Sequence, residues 1–139
     1  MKIFIAGIMQ GSLKGKGIQE QAYRKIISKA LKINHPDVNI VDPFSLFPDS
    51  VAYDDKRAKE VLFAMADEAA SSNILIAYLP EASMGTALEM IRAYDNQKPI
   101  FSITPMNENW LVRAVSTKVF PTLETFCTWI KNNHLKDWL

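Results

Sequence analysis

The stretch PEASMGTALEMI, Pro80 to Ile91, places a carboxylate near the start of a helix. Glu89 stands one turn after Gly85, so the two positions share one side of a helix that opens at Ser83. Ser83 suits an N-cap, but the residue three on is Thr86, so Glu89 is not a capping-box partner. Gly85 costs roughly 1 kcal/mol of helix stability relative to alanine in an interior, and less at an end. It provides open space in which a ligand can approach the backbone. A partly desolvated carboxylate above that space can attack or stabilise an electron-poor carbon. Periodicity alone favours a blander arrangement. In it Met84, Ala87, Leu88 and Ile91 form the apolar stripe, while Gly85, Glu89, Arg92 and Asn96 line the other side with a solvated Glu89–Arg92 pair.

A second group lies near the N-terminus. GIMQGSLKGKG, Gly7 to Gly17, has four glycines between a strand and a helix, so backbone amides and a helix start can hold an anion there. Ser12 adds a hydroxyl, and Lys14 and Lys16 add local positive charge. The spacing is neither G-x-G-x-x-G nor a Walker A loop. The competing reading is a flexible turn with solvated lysines. PFSLFPDSVAYDD, from Pro43, offers Phe44, Phe47 and Tyr53 either for stacking on a ring or for core packing. It ends at Asp54 and Asp55, acids at a loop-to-helix junction.

The elements that position these groups alternate. Strands are expected at Lys2–Ala6, Val38–Val41, Ile74–Leu79, Pro99–Ile103 and near Val119. Helices are expected over Ile18–Ile33, Asp54–Ser71 and Met84–Asn96, from about Glu108, and from Thr122. The first shows an apolar stripe of Ala22, Ile26, Ile27, Ala30 and Leu31. This order predicts a single α/β domain over residues 1–139: a small doubly wound, flavodoxin-like or Rossmann-like sheet of about five parallel strands with helices on both faces. Ligands of such sheets bind at the carboxyl ends of the strands, where Gly7–Gly17, Asp42–Asp55, Pro80–Gly85 and Thr104–Asn109 fall.

With 139 residues, 48% hydrophobic, 22% charged and a formal charge of +1, the chain reads as one soluble globular domain. It has no broad basic field for nucleic acid or a membrane surface. Cys127 is the sole cysteine, which excludes an internal disulfide and reads as a small core residue. His35 and His134 show no ligand spacing and read as surface or helix-end residues, so no metal and no cofactor is expected. The first apolar run is too short for a secretory signal, which predicts a cytoplasmic protein.

KIFIAG at the start and NILIAYLPEASMGTALEMIRAYDNQKPIFSI in the middle, with the strand–helix order between them, resemble the nucleoside 2-deoxyribosyltransferase family. The resemblance covers most of the chain, and Asn73–Ile103 is its specific block. It implies cleavage of a nucleoside N-glycosidic bond, with Glu89 as the nucleophile or oxocarbenium-stabilising group at C1′ and Gly85 leaving room for the sugar. The family's transferases tend to carry aspartate where this chain has Ser83. Its branch that hydrolyses nucleoside 5′-monophosphates resembles SMG better, which implies a phosphate near Ser83, Gly85, Thr86 and the loop of Gly7, Gly11 and Ser12. Asn109 falls where the family lends a polar residue to a neighbouring subunit, implying a homodimer or higher homo-oligomer. TPMNENWLVRAV supports this, because Trp110, Leu111 and Ala114 form an apolar stripe that suits an interface or burial within the monomer.

The chain departs from the family at two places. Counting eight residues back from Asn73, where the family has an acid, gives Met65 where it has aspartate. Asp67 lies two residues away, about 200° around a helix and on the wrong face. Asp54 or Asp55 is the alternative acid or base-positioning group, with Tyr53 beside it against the base. The expected activity is N-glycosidic cleavage of a nucleoside 5′-monophosphate or related nucleotide, by hydrolysis or transfer. The alternative is a nucleotide-binding or sensing protein without turnover, and a pure assembly module ranks third.

Overall fold

The computed structural model describes residues 1–11 and 13–139. Its sheet is built on β1 (Lys2–Gly7), whose side chains alternate between two buried faces. Ile3 and Ile5 point to one core with Tyr23, Ile27, Leu31, Phe126 and Ile130, whereas Phe4 and Ala6 point to another with Met65, Ala69, Met90, Ala93 and Val112. Both faces being covered explains why β3 (Ile74–Tyr78) is an unbroken apolar run.

The remaining strands are β2 (Asn39–Val41), β4 (Ile100–Ile103) and β5 (Lys118–Phe120). All pairings are parallel and the order is β2-β1-β3-β4-β5. Helices α1 (Ala22–Asn34) and α6 (Leu123–Ile130) cover one face. On the other lie α3 (Asp55–Ser71), α4 (Met84–Asp95) and α5 (Trp110–Val115). The chain is therefore a small doubly wound α/β fold. Its strand order reverses direction between β1 and β3, whose last residues Gly7 and Tyr78 pair.

Local chemistry moves several boundaries. Helix α1 starts at Ala22 rather than Ile18, because residues before it are tied back to the glycine loop. The Gln19 amide donates to the Met9 carbonyl at 2.6 Å, and Gln21 Nε2 donates to the Ile8 carbonyl at 3.0 Å. Its buried face includes Tyr23 and Arg24, while Ile26 is 46% exposed. The segment after Asp42 is more regular than its prolines suggest. Pro43 opens a short helix, α2 (Pro43–Leu46), with Asp42 accepting from the Phe44 amide, and a 3-10 turn follows at Ser50–Ala52.

The expected apolar stripe of α4 is not its buried face. Thr86, Met90 and Ala93 are buried, at i, i+4 and i+7, and Met84 is 90% exposed. Arg92 pairs with Asp67 of α3 at 2.6 Å, not with Glu89. The rotation follows from α4 packing on α3 as well as on the sheet.

His35 stands at a helix end, as the C-cap of α1, but it is buried rather than on the surface. Its ring meets His134 edge-on at 6.1 Å, and the Leu135 amide faces its Nε2 at 3.5 Å. Burial, then the charges at His134 and Lys136, lowers the His35 pKa.

Candidate active site

A cavity of about 320 Å³ opens at the carboxyl ends of β1 and β3. Gly7 and Gly11 come to it from the loop after β1, Tyr53 from the segment before α3, and Ser83, Gly85, Thr86 and Glu89 from the start of α4. These seven sequence-predicted residues thus share one concave surface. Ser12 lies outside the described residues.

Glu89 is held in place by the helix register that buries Met90 one position on. Its carboxyl lines the cavity and accepts no hydrogen bond from the described residues. Burial raises its pKa from 4.5 to about 8, and the nearby Arg24 guanidinium partly opposes the rise. A Cβ at Gly85 would meet no atom within 4 Å, so the helix wall below Glu89 is open space. Ser83 caps α4, with its Oγ accepting from the Thr86 amide at 3.4 Å and from Thr86 Oγ1 at 3.1 Å.

The glycines before α1 serve packing as well as access. A Cβ on Gly7 would lie 2.2 Å from the Tyr23 hydroxyl. That ring cannot swing away, because it stacks on Tyr78 at a centroid distance of 4.2 Å and its hydroxyl donates to the Ile8 carbonyl. Gly7→Ala is expected to cost about 1–3 kcal/mol by overpacking, read as a lower denaturant midpoint with unchanged slope. A variant as stable as the parent would show that Tyr23 is not fixed there. Gly11 adopts φ +57°, and a Cβ there would press on Ile8 and on Glu81 Oε1, which accepts from Gln19 Nε2 at 2.9 Å.

Two expected residues stand elsewhere. Asp54 is exposed and caps α3, its Oδ1 accepting from the Arg57 amide at 2.8 Å. Asn109 caps α5, accepting from the Leu111 and Val112 amides, and lines an adjoining groove of about 370 Å³ that shares Gly11, Ser83 and Met84 with the cavity. Asp55 opens α3 and is exposed, as are Lys14 and Lys16, which do not line the cavity. Phe47 joins Tyr53 in the lining, with the Arg57 guanidinium 5.9 and 5.6 Å from their ring centres. Phe44 lies instead by Arg24, at 6.0 Å.

Sequence reasoning passed over Arg24. It is 3% exposed, pairs with Asp42 at 2.7 Å, and donates to the carbonyls of Ile5 at 3.1 Å and Gly7 at 3.0 Å. Gln21 Oε1 takes its Nε–H at 2.7 Å. This ion pair clamps the carboxyl end of β1 to α1 and to the end of β2. The signal was an arginine at i−3 from Ile27, on the helix's apolar side, with an Asp-Pro closing β2.

No family model and no curated sequence matches the chain. Solved structures do. A 2-deoxyribosyltransferase from Bacillus psychrosaccharolyticus superposes with TM-score 0.71 at 14% identity, over 99% of this chain and 95% of that one. A conserved protein from Enterococcus faecalis gives 0.64 at 20% identity, covering 94% and 97%. A CMP N-glycosidase from Clostridium botulinum gives 0.55 at 15% identity, covering 94% and 98%. The chain thus has the fold of proteins that include a deoxyribosyltransferase and an N-glycosidase, over nearly its whole length.

Proposed function

We propose that the protein cleaves the N-glycosidic bond of a nucleoside 5′-monophosphate or related nucleotide, with Glu89 as the nucleophile or as the charge that stabilises an oxocarbenium-like transition state. The observation that carries this reading is the Glu89 carboxyl, lining a cavity at the β1/β3 switch point with no hydrogen bond from the described residues, above the open wall at Gly85. The likeness in fold to a deoxyribosyltransferase and a CMP N-glycosidase supports the same chemistry. The ionised form of Glu89 is the active one. With its pKa raised to about 8, kcat/KM is expected to climb with pH and level off above about pH 8. The test is incubation with a panel of nucleotides and chromatography of the released base. No base from any of them removes the proposal.

The 5′-phosphate is assigned to the amides of the glycine loop and the Ser83 end of α4, a helix N-terminus of the required polarity. Lys14 and Lys16 lie outside the cavity lining, so these backbone dipoles carry the recognition. Wild type is expected to bind a monophosphate more tightly than the bare nucleoside, and Ser83→Asp to weaken the monophosphate more. Equal affinity of the wild type for the two ligands in calorimetry would sink the phosphate assignment.

A catalytically silent nucleotide sensor is the second reading, favoured by one observation. Met65 lines the cavity where the family resemblance calls for a carboxylate. Mass spectrometry of ligands retained through purification, beside the turnover panel, separates the two.

The oligomer belongs to the same proposal. Trp110 is 87% exposed and Met84 90% exposed, at α5 and at the start of α4 beside the groove that Asn109 lines. Burial within the monomer therefore does not account for Trp110. Asn109 Oδ1 is occupied by the start of α5, so its Nδ2 donors would reach a neighbouring site. Mixing inactive Glu89→Gln with inactive Asn109→Ala under subunit exchange is expected to restore part of the activity, because some mixed dimers keep one intact site. A strictly monomeric protein in light scattering, or no recovery after proven exchange, rejects the shared site.

A further inference from the structure

The cavity offers one carboxyl and no other charged side chain among the described residues. Its α3 wall is Ala58, Val61, Leu62 and Met65, faced by Phe47 and Val51. The remaining polar groups are hydroxyls and the Gln10 carboxamide. A neutral nucleobase leaves an N-glycoside easily only if it is protonated as the bond breaks, which needs an acid beside the departing ring. That acid would have to be separate from the group that meets C1′. Glu89 cannot fill both roles in one transition state, since protonated it brings no charge and ionised it brings no proton.

Resting on the N-glycosidase reading above, we propose that the substrate is an N-glycoside whose leaving ring is already a heteroaromatic cation, such as a pyridinium or an N-alkylated purine. The C1′–N bond breaks with its electron pair going to the ring nitrogen, which cancels the positive charge. The ring departs as a neutral base with no proton supplied by the protein. The sugar carbon, left oxocarbenium-like beside Glu89, is captured by water, and that water's proton goes to solvent. Two features of the cavity fit such a ring. Phe47 and Tyr53 present aromatic surfaces of the kind that attract cations, and the Arg57 guanidinium already lies 5.9 and 5.6 Å from their ring centres, leaving the cavity side of the rings for the ligand. The Glu89 carboxyl accepts no hydrogen bond from the described residues and feels only the partial opposition of Arg24, so a bound cation would draw its raised pKa further back down. Cation binding near neutral pH therefore expels a proton from Glu89.

Two measurements test this. In the first, kcat/KM is compared for GMP and N7-methyl-GMP, and for CMP and nicotinamide mononucleotide, each corrected for spontaneous hydrolysis. The cationic member of each pair is expected to win by on the order of 100-fold or more, the factor a general acid supplies when one is needed. Values within about threefold in both pairs overturn the cation preference and leave the glycosidase standing. No base from any substrate removes the glycosidase, and the second measurement then decides the cation preference alone. That measurement is calorimetry of nicotinamide mononucleotide at pH 7 in two buffers of different ionisation enthalpy. Wild type is expected to release most of one proton on binding and Glu89→Gln none. Binding without proton release by the wild type, or no binding, overturns the cation site.

Discussion

Glu89→Gln is expected to abolish base release and, at the same time, to make the protein more stable at neutral and alkaline pH. The substitution keeps volume and removes the negative charge, and groups that stabilise developing charge in a closed site are commonly worth 10²–10³ in kcat, so activity should fall by at least about that factor. The stability gain follows from the same burial. Glu89 holds its proton in the folded state up to about pH 8, whereas the unfolded chain loses it near 4.5. Between those values the folded state binds more protons, so stability declines as pH rises. The cost is absent below about pH 4.5, accumulates above it and is complete above about pH 8. After allowance for partial solvent access from the cavity, Glu89→Gln should recover roughly 1–3 kcal/mol at pH 8.5 and little at pH 4. Denaturant titrations at the two pH values, with a base-release assay, check both halves. A variant that releases base at the wild-type rate removes Glu89 from catalysis. A variant with the same pH–stability profile as wild type shows that Glu89 ionises normally.

The second large effect is expected at Arg24. Replacing it with leucine leaves Asp42 without its partner in a nearly buried position, and removes the donors that hold the Ile5 and Gly7 carbonyls and Gln21 Oε1. Breaking one side of a buried ion pair typically costs about 3–5 kcal/mol, because the other charge remains desolvated. In a domain of this size that corresponds to a melting temperature lower by on the order of 10–15 °C. The Arg24→Leu, Asp42→Leu double variant should be less damaged than the sum of the single ones, since the orphaned charge is gone. A loss below about 1 kcal/mol for Arg24→Leu, or full additivity, would show that the pair is not coupled. Any Arg24→Leu protein that folds should also show its pH–activity midpoint shifted upward, because Arg24 is what restrains the Glu89 pKa.

The alternation of strands and helices, the parallel sheet and the loops at its carboxyl edge were legible in the sequence, since periods of 2 and 3.6 are local properties of the chain. So was the pairing of Gly85 with Glu89, because i and i+4 share a helix face in any environment. The face itself was not legible. Hydrophobicity placed Met84, Ala87, Leu88 and Ile91 inward, yet α4 lies against both the sheet and α3, and this double contact turns Thr86, Met90 and Ala93 inward.

The burial of Arg24 and of His35 was not legible for a related reason. A charged or polar side chain is buried only when partners wait for it. Those of Arg24 lie as far off as Ile5 and Asp42, and His35 meets Leu135, 100 residues on. The residue types and their spacing along the chain set which groups exist and which elements carry them. Only the tertiary structure decided which ones lose their water, and with that the raised pKa of Glu89, the burial of Arg24 and the apolar wall at Met65, because desolvation depends on neighbours that are distant in sequence.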